Sequence, residues 1–236
     1  MRNSIEGEDV KRMKKFECEV AIVCAGDNTD IPACMLTVEG ETEKYDKICL
    51  ELRQVLLSMG VEAAMVSQEA DWSSYKVLFV PRMHLKHGET GEKIRDFVAE
   101  GGTILATYFM GCENKDLLRE VEGVSEEDLW SVFGITREEI DVFSPSEWNG
   151  IIWSNGARIR TMVRDYAEIL QIQSAEVLAT FETDFYAGKA AITKNQFGNG
   201  YAYYVAGGIA AADLRGLFER MLTEAGIETG YPEETV

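Results

Sequence analysis

Histidines and basic residues are scarce in this sequence. Only two histidines, His84 and His87, occur in 236 residues, and 23 lysines and arginines stand against 41 aspartates and glutamates. The formal net charge of −18 would repel a nucleic-acid backbone or an anionic membrane, so we expect neither as a partner. Acidity of this kind is typical of solvated protein surfaces.

Long apolar runs and paired cysteines are also missing. No apolar stretch approaches the roughly 20 residues that span a bilayer, and the first residues lack the apolar core of a secretion signal. The cysteines are odd in number and lack C-x-x-C spacing, which excludes a disulfide framework and favours a reducing cytoplasm. They are Cys18, Cys24, Cys34, Cys49 and Cys112.

Motifs for metals and phosphates are absent as well. His84 and His87 have a spacing found in metal sites, but no third histidine and no cysteine cluster completes a tetrahedral set. The stretches "AEGGTI" and "GNGYAYY" match neither of the glycine-rich phosphate-binding patterns. We therefore expect no metal and no cofactor.

Apolar runs and amphipathic segments alternate in the first half of the chain. Buried strands are predicted at 18–26, 61–67, 75–81 and 103–109. Helical spacing over 41–60 and 89–102 predicts crossover helices between them. This alternation predicts a doubly wound, mostly parallel, flavodoxin-like α/β sheet.

Consecutive strands are predicted in the second half. The runs 176–182, 189–196 and 200–208 are joined by glycine-bearing turns, which favours antiparallel pairing before a final helix over 211–227. Residues 112–165 show no clear pattern. We expect one α/β domain over 18–226, with a lead-in at 1–17 and a tail at 227–236.

Two blocks of sequence resemble a known family. The first, "YKVLFVPRMHLKHGETGEKIRDFVAEGGTILATYFMG", combines a strand, a proline loop, a helix, two glycines and a strand that ends in an aromatic pair. The second, "AEVLATFETDFYAGKAAITKNQFGNGYAYYV", contains "EVLA", "FYAG", A-x-T-x-N-x-x-G-x-G and "YYV". In this order they resemble the middle, or trimerisation, domain of family 42 β-galactosidases.

The resemblance implies a class I glutamine amidotransferase-like fold used for assembly rather than chemistry. In that family a catalytic (β/α)₈ barrel precedes this domain, and a barrel alone needs about 250 residues. No glycosidase carboxylate is therefore assigned in this chain. The expected function is a non-catalytic assembly domain of carbohydrate metabolism that forms a homo-oligomer, a trimer, with a glycosidase barrel in cis or in trans as a further partner.

Cys112 is the candidate nucleophile, because it follows the predicted strand that ends at Phe109. A cysteine enzyme needs a base, and in the amidotransferase arrangement this is a histidine in an H-x-E motif after a late strand. Here the late strand ends "YYVAGGIAA", without histidine. His84 could still approach Cys112 from a neighbouring exit loop, so a divergent cysteine hydrolase or amidotransferase-like enzyme is an alternative function.

A ligand crevice is expected at the exit edge of the parallel strands, where crossovers diverge. Aromatic rings with nearby carboxylates suit carbohydrate, so a carbohydrate-binding or regulatory module that acts with a separate glycosidase is a further alternative. The candidate crevice residues are Asp27, Asn28, His84, Tyr108, Phe109, Cys112, Asp184, Phe185 and Tyr186.

A subunit interface is expected in the turn-rich segment 148–153, which contains no charge. Exposed tryptophans in a surface loop would leave apolar area that a monomer rarely keeps uncovered. The candidate interface residues are Trp148, Ile151, Ile152 and Trp153.

Overall fold

The computed structural model describes most of the chain. The described ranges are 18–24, 41–82, 88–108, 126–155 and 161–230. The helices are α1 (Glu41–Ser58), α2 (Gly88–Ala99), α3 (Glu126–Phe133) and α4 (Arg215–Glu224), the last preceded by a 3-10 helix (Ala211–Leu214). The strands are β1 (Val20–Cys24), β2 (Ala63–Ser67), β3 (Val77–Val80), β4 (Thr103–Thr107), β5 (Ile135–Val142), β6 (Asn149–Trp153), β7 (Met162–Ile172), β8 (Glu176–Phe181), β9 (Ala190–Phe197), β10 (Gly200–Val205) and β11 (Gly207–Ile209).

One mixed sheet organises the fold, in the order β11-β7-β6-β8-β9-β10-β4-β3-β1-β2, with β5 also paired to β7. Among the described strands, the pairs of β1 with β2 and β3, and of β4 with β3 and β10, are parallel. The remaining described pairs, from β10–β9 through β8, β6 and β7 to β5 and β11, are antiparallel. The chain is therefore an α/β protein whose antiparallel part continues the parallel half.

The parallel half consists of short apolar strands between helices. All four residues of β3 are buried, as expected of a strand covered on both faces. On α1, Leu52 and Leu56 are buried, and α4 buries four apolar residues that include Phe218. The Phe218 ring meets the Phe79 ring of β3 edge to face, with centroids 5.1 Å apart. These contacts hold the last helix of the chain on the first half of the sheet.

A polar cluster also ties α4 to the sheet. The Glu224 carboxylate accepts hydrogen bonds from Lys194 Nζ (2.7 Å), Arg220 Nε (3.0 Å) and the Tyr203 hydroxyl. Burial raises the pKa of Glu224, but these hydrogen bonds outweigh burial and lower the pKa to about 2. Burial and then the neighbouring carboxylate raise the pKa of Tyr203, so the phenol keeps its proton and donates.

The segment 112–165, which showed no clear pattern in the sequence, contains α3, β5, β6 and the start of β7. The expectation of a surface loop at 148–153 is wrong, because residues Asn149–Trp153 form β6 inside the sheet, between β8 and β7. None of the helices in the described ranges is long and apolar enough to cross a membrane.

Candidate ligand cleft

Strand direction brings two of the sequence-predicted regions to one edge of the sheet. Val205 at the end of β10 pairs with Ile192 near the start of β9, and Thr180 near the end of β8 pairs with Ala190. The carboxyl ends of β8 and β10 therefore lie at the same edge, and β4 is parallel to β10. Tyr108 follows β4 and Asp184–Tyr186 follows β8 at this edge.

A cleft of about 350 Å³ lies where the chain segment after β8 meets the connection between β5 and β6. A volume of this size is within the range of small-molecule sites. The lining combines four aromatic rings with carboxylates, an amide and a hydroxyl. The lining residues are Asp141, Phe143, Ser146, Glu147, Trp148, Asn149, Asp184, Phe185 and Tyr186.

Asn149 joins the two walls of the cleft. Its side chain is buried at the start of β6, where Nδ2 donates to the Thr183 carbonyl at 3.0 Å. Its Oδ1 accepts from the Thr183 backbone N–H (3.0 Å), the Thr183 hydroxyl (2.8 Å) and the Gly150 N–H (2.8 Å). One buried amide thus fixes the segment after β8 against β6.

Tyr186 fixes the same segment through ring packing and a hydrogen bond. The buried Tyr186 ring packs edge to face against Phe181 and Phe185, with centroids 5.0 and 4.9 Å away. Its hydroxyl donates to Asp141 Oδ2 at 2.9 Å. Burial raises the pKa of Tyr186 above its ordinary value. A hydrogen bond with Asn149 lowers this pKa, but the Asp141 carboxylate raises it again, so the phenol keeps its proton.

The turn that presents Phe185 is backbone-strained. Asp184 has φ of 72°, a left-handed conformation that costs a non-glycine residue about 1 kcal/mol. The Asp184 carboxylate accepts the Phe185 N–H at 2.7 Å, and the Ala187 N–H bonds to the Asp184 carbonyl at 3.1 Å. As a result the Phe185 ring projects outward and is 70% exposed.

The charge of the cleft is negative. Asp141, Glu147 and Asp184 contribute carboxylates, and the nine lining residues include no lysine, arginine or histidine. Glu147 accepts the Ser144 N–H at 2.8 Å, and this hydrogen bond lowers the pKa of Glu147, so it is ionised at neutral pH. The cleft therefore attracts hydrogen-bond donors and cations and repels anions.

Tyr108 makes a different set of contacts. Its ring stacks on Tyr166 with centroids 5.9 Å apart, and the buried Arg82 guanidinium lies 5.3 Å from the Tyr108 ring centre. The Arg82 backbone N–H donates a hydrogen bond to the Thr107 hydroxyl at 2.8 Å. Tyr108 does not line the cleft.

The other crevice residues predicted from the sequence lie outside the described ranges. They are Asp27, Asn28, His84, Phe109 and Cys112. The Cys112 alternative and the full crevice grouping therefore stay predictions. In the described part of the chain, no group of three or more histidine, cysteine, aspartate or glutamate side chains is arranged to hold a metal ion.

The predicted interface segment has one well-exposed member. Ile151 is buried in β6, Ile152 and Trp153 are partly buried, and Trp148 is 47% exposed and lines the cleft. The interface predicted at 148–153 stays an untested prediction.

Sequence reasoning missed one wall of the cleft, at Asp141, Phe143, Ser146, Glu147 and Asn149. All five come from the stretch without a clear pattern, and their proximity to Asp184 depends on how β6 pairs with β8. The one local signal was the Asn149-Gly150 dipeptide, which marks positions where a side-chain amide organises its neighbours.

Known proteins match most of the chain. The family described as the beta-galactosidase trimerisation domain matches residues 19–228. The β-galactosidase BgaP of Planococcus sp. is 32% identical over 225 residues, and Pbg of Clostridium perfringens is 31% identical over 176 residues. These alignments cover 91% and 70% of this chain but only 32% and 24% of the two relatives.

Solved structures are similar over the same region. A β-galactosidase from Bacillus circulans sp. alkalophilus has a TM-score of 0.72 and 29% identity, and a GH42 β-galactosidase from G. stearothermophilus has a TM-score of 0.77 and 28% identity. The alignments cover 90% and 89% of this chain and 32% and 30% of the solved chains. The chain thus spans about a third of these proteins. The resemblance found in the sequence is confirmed, and the chain belongs to the β-galactosidase trimerisation domain family.

Proposed function

We propose that this chain is a non-catalytic assembly domain that associates with two further copies of itself. The observation that carries the proposal is the exposure of three large apolar side chains on the two elements at the β2 end of the sheet. Leu50 and Leu57, seven residues apart on one face of α1, are 50% and 40% exposed, and Met65 on β2 is also exposed. We name Leu50, Leu57 and Met65 the α1–β2 surface.

The position of this surface suits contact between copies. β2 is the last strand of the described sheet, and α1 leads directly into it. Burying these side chains would contribute about 25 cal/mol per Å² of apolar area, before the entropic cost of association. Between the two leucines, Gln54 is exposed and neutral, and the half-exposed Glu51 carboxylate is paired with Lys47 at 3.7 Å. This neutrality matters because each copy carries −18, so contact is favoured where carboxylates are sparse.

Replacing Leu57 with glutamate tests the surface. We expect association to weaken by about two orders of magnitude, because a carboxylate buried without a partner costs several kcal/mol. Val142→Glu is the matched control, since Val142 is an exposed apolar residue on β5, far along the sheet from β2. Sedimentation equilibrium of both variants measures the effect. Equal association by Leu57→Glu and wild type would place the contact elsewhere.

The activity of the whole protein is a separate part of the proposal. The relatives are β-galactosidases about three times as long as this chain, and we propose that the domain works with such a glycosidase barrel, in cis or in trans. We further propose a reducing cytoplasm as its compartment, which the odd, unclustered cysteine set supports.

The finer fold assignment is also a proposal. We propose a flavodoxin-like, doubly wound topology related to class I glutamine amidotransferases for the parallel half. The strand order β2-β1-β3-β4-β10 supports this assignment, because the flavodoxin-like order is 2-1-3-4-5.

A further inference from the structure

We propose that the cleft between the β5–β6 connection and the segment after β8 binds a neutral saccharide. This binding function is additional to assembly, and the cleft lies apart from the α1–β2 surface. The walls of the cleft, its hydrogen-bonding groups, its charge and its size all favour this class of ligand.

Two exposed aromatic rings form apolar walls. Trp148 and Phe185 both line the cleft, yet about half or more of each side chain remains in contact with solvent. Large exposed rings on a protein surface mark contact sites. The flat C–H faces of a pyranose cover such rings and remove their apolar area from water.

These rings are positioned before any ligand arrives. The Phe185 ring is fixed by its edge-to-face contact with Tyr186, which is itself held by the hydrogen bond to Asp141. Trp148 directly precedes the buried Asn149, whose amide closes the junction of both walls. A preorganised site loses less conformational entropy on binding than a mobile one.

The polar groups of the cleft match a ligand rich in hydroxyls. Asp141, Glu147 and Asp184 accept hydrogen bonds within the protein from Tyr186, Ser144 and Phe185 respectively. A carboxylate offers about four lone-pair sites, so each retains capacity for ligand O–H donors. The Ser146 hydroxyl can both donate and accept, which suits the ring and hydroxyl oxygens of a sugar.

Charge narrows the class of ligand. Three carboxylates without a basic lining residue disfavour sugar phosphates and acidic sugars. A purely apolar ligand would leave the carboxylates desolvated. A neutral saccharide uses the rings, the acceptors and the hydroxyl together, and a volume of about 350 Å³ holds one or two sugar units.

The test is ligand-observed NMR and calorimetry on the full 236-residue chain. The probes are lactose and cellobiose as neutral disaccharides, galacturonate as an acidic sugar and arginine amide as a cation. We expect saturable binding of at least one disaccharide with a dissociation constant of roughly 1 mM, and binding of galacturonate at least about tenfold weaker.

The variants Trp148→Ala and Phe185→Ala should each weaken disaccharide binding about tenfold or more, because each removes an aromatic wall of the cleft. Both rings lie on the surface, so their removal should leave the fold intact. Val142→Ala, an exposed apolar residue that does not line the cleft, is the matched control and should bind like wild type. The molar mass should stay unchanged in all three variants.

Four outcomes would overturn the inference. The first is no saturable binding of either disaccharide at a concentration 100-fold above the expected dissociation constant, and the second is disaccharide binding that both ring variants leave unchanged. The third is tighter binding of arginine amide than of any sugar. The fourth is a fall in molar mass in the ring variants without sugar binding by the wild type. The last would identify the cleft as a contact between copies. A monomeric wild type that still binds disaccharide would contradict assembly alone, so the two proposals fail separately.

Discussion

Replacement of Asn149 with alanine is expected to lower the free energy of unfolding by about 2–4 kcal/mol. The hydrogen bonds of the buried amide include three to Thr183 and one to the Gly150 N–H. Alanine removes the side-chain amide, so the Thr183 and Gly150 groups that bonded to it lose these hydrogen bonds. The segment after β8 should then detach from β6, and the cleft should lose its shape.

Urea denaturation monitored by tryptophan fluorescence measures this loss of stability. Gln171→Ala is the matched control, because Gln171 is an exposed amide whose bond to the Thr136 hydroxyl is 3.3 Å long. The control should stay within about 0.5 kcal/mol of wild type. Limited proteolysis should cut Asn149→Ala faster than wild type within 182–189. Equal stability of Asn149→Ala and wild type would show that Asn149 does not hold the two walls together.

Replacement of Glu224 with alanine is expected to lower the free energy of unfolding by about 2–3 kcal/mol. The carboxylate is the shared acceptor for Lys194 on β9, Tyr203 on β10 and Arg220 on α4. Lys194 and Tyr203 are largely withdrawn from solvent, so removal of the acceptor leaves a charge and a hydroxyl poorly compensated. Helix α4 would also lose its polar link to the antiparallel strands.

The same carboxylate predicts a pH dependence. The pKa of Glu224 is lowered to about 2 in the folded chain, against 4.5 for an ordinary glutamate. Its stabilising contribution is therefore complete above about pH 4.5 and is lost as the pH falls from there to about 2. Wild type should lose more stability across this window than Glu224→Gln, which carries no titrating group at the position.

Glu219→Ala is the control for both experiments with Glu224. Glu219 lies on the same helix and makes an exposed pair with Arg215 at 3.0 Å, four residues away. Pairs of this kind contribute about 0.3–0.5 kcal/mol. A stability change in Glu224→Ala as small as that in Glu219→Ala would contradict a structural role for the cluster.

The parallel half of the fold could be predicted because its strands are covered on both faces. "VLFV" and "VAIVC" are continuous apolar runs that only a buried strand explains well at this length. The helix predicted over 41–60 is observed at Glu41–Ser58, where Leu52 and Leu56 provide the buried face. Local pattern and tertiary burial agree in this half.

The antiparallel strands β5 and β7 could not be predicted from the same rules. β5, "ITREEIDV", carries charged residues at four of its eight positions, so its pattern matches neither a buried strand nor a regular alternation. In β7 the fully buried Glu168 accepts hydrogen bonds from the Tyr204 hydroxyl (2.6 Å) and Arg137 Nη1 (3.2 Å). A glutamate in a sequence predicts a solvent-exposed position. The burial of Glu168 is stabilised by hydrogen-bond partners that lie far from it in sequence.

Three of the nine residues that line the cleft could be predicted as ligand-crevice residues from the sequence. Asp184, Phe185 and Tyr186 follow a recognisable strand and belong to the "FYAG" stretch of the family resemblance. Asp141 and Asn149 reach them only through the pairing of β6 with β8 and of β5 with β7, which has no local signature. The second wall of the cleft therefore depends on pairing between strands that are distant in sequence, which a local sequence pattern does not predict.

Assembly of this chain into a trimer is tested most directly by sedimentation equilibrium of the wild type at micromolar concentration. About 0.15 M salt should be present, because it screens the charge repulsion between copies beyond roughly 8 Å. We expect a molar mass three times that of the 26.4 kDa chain. A mass of 26.4 kDa that does not rise with concentration would contradict assembly into a trimer.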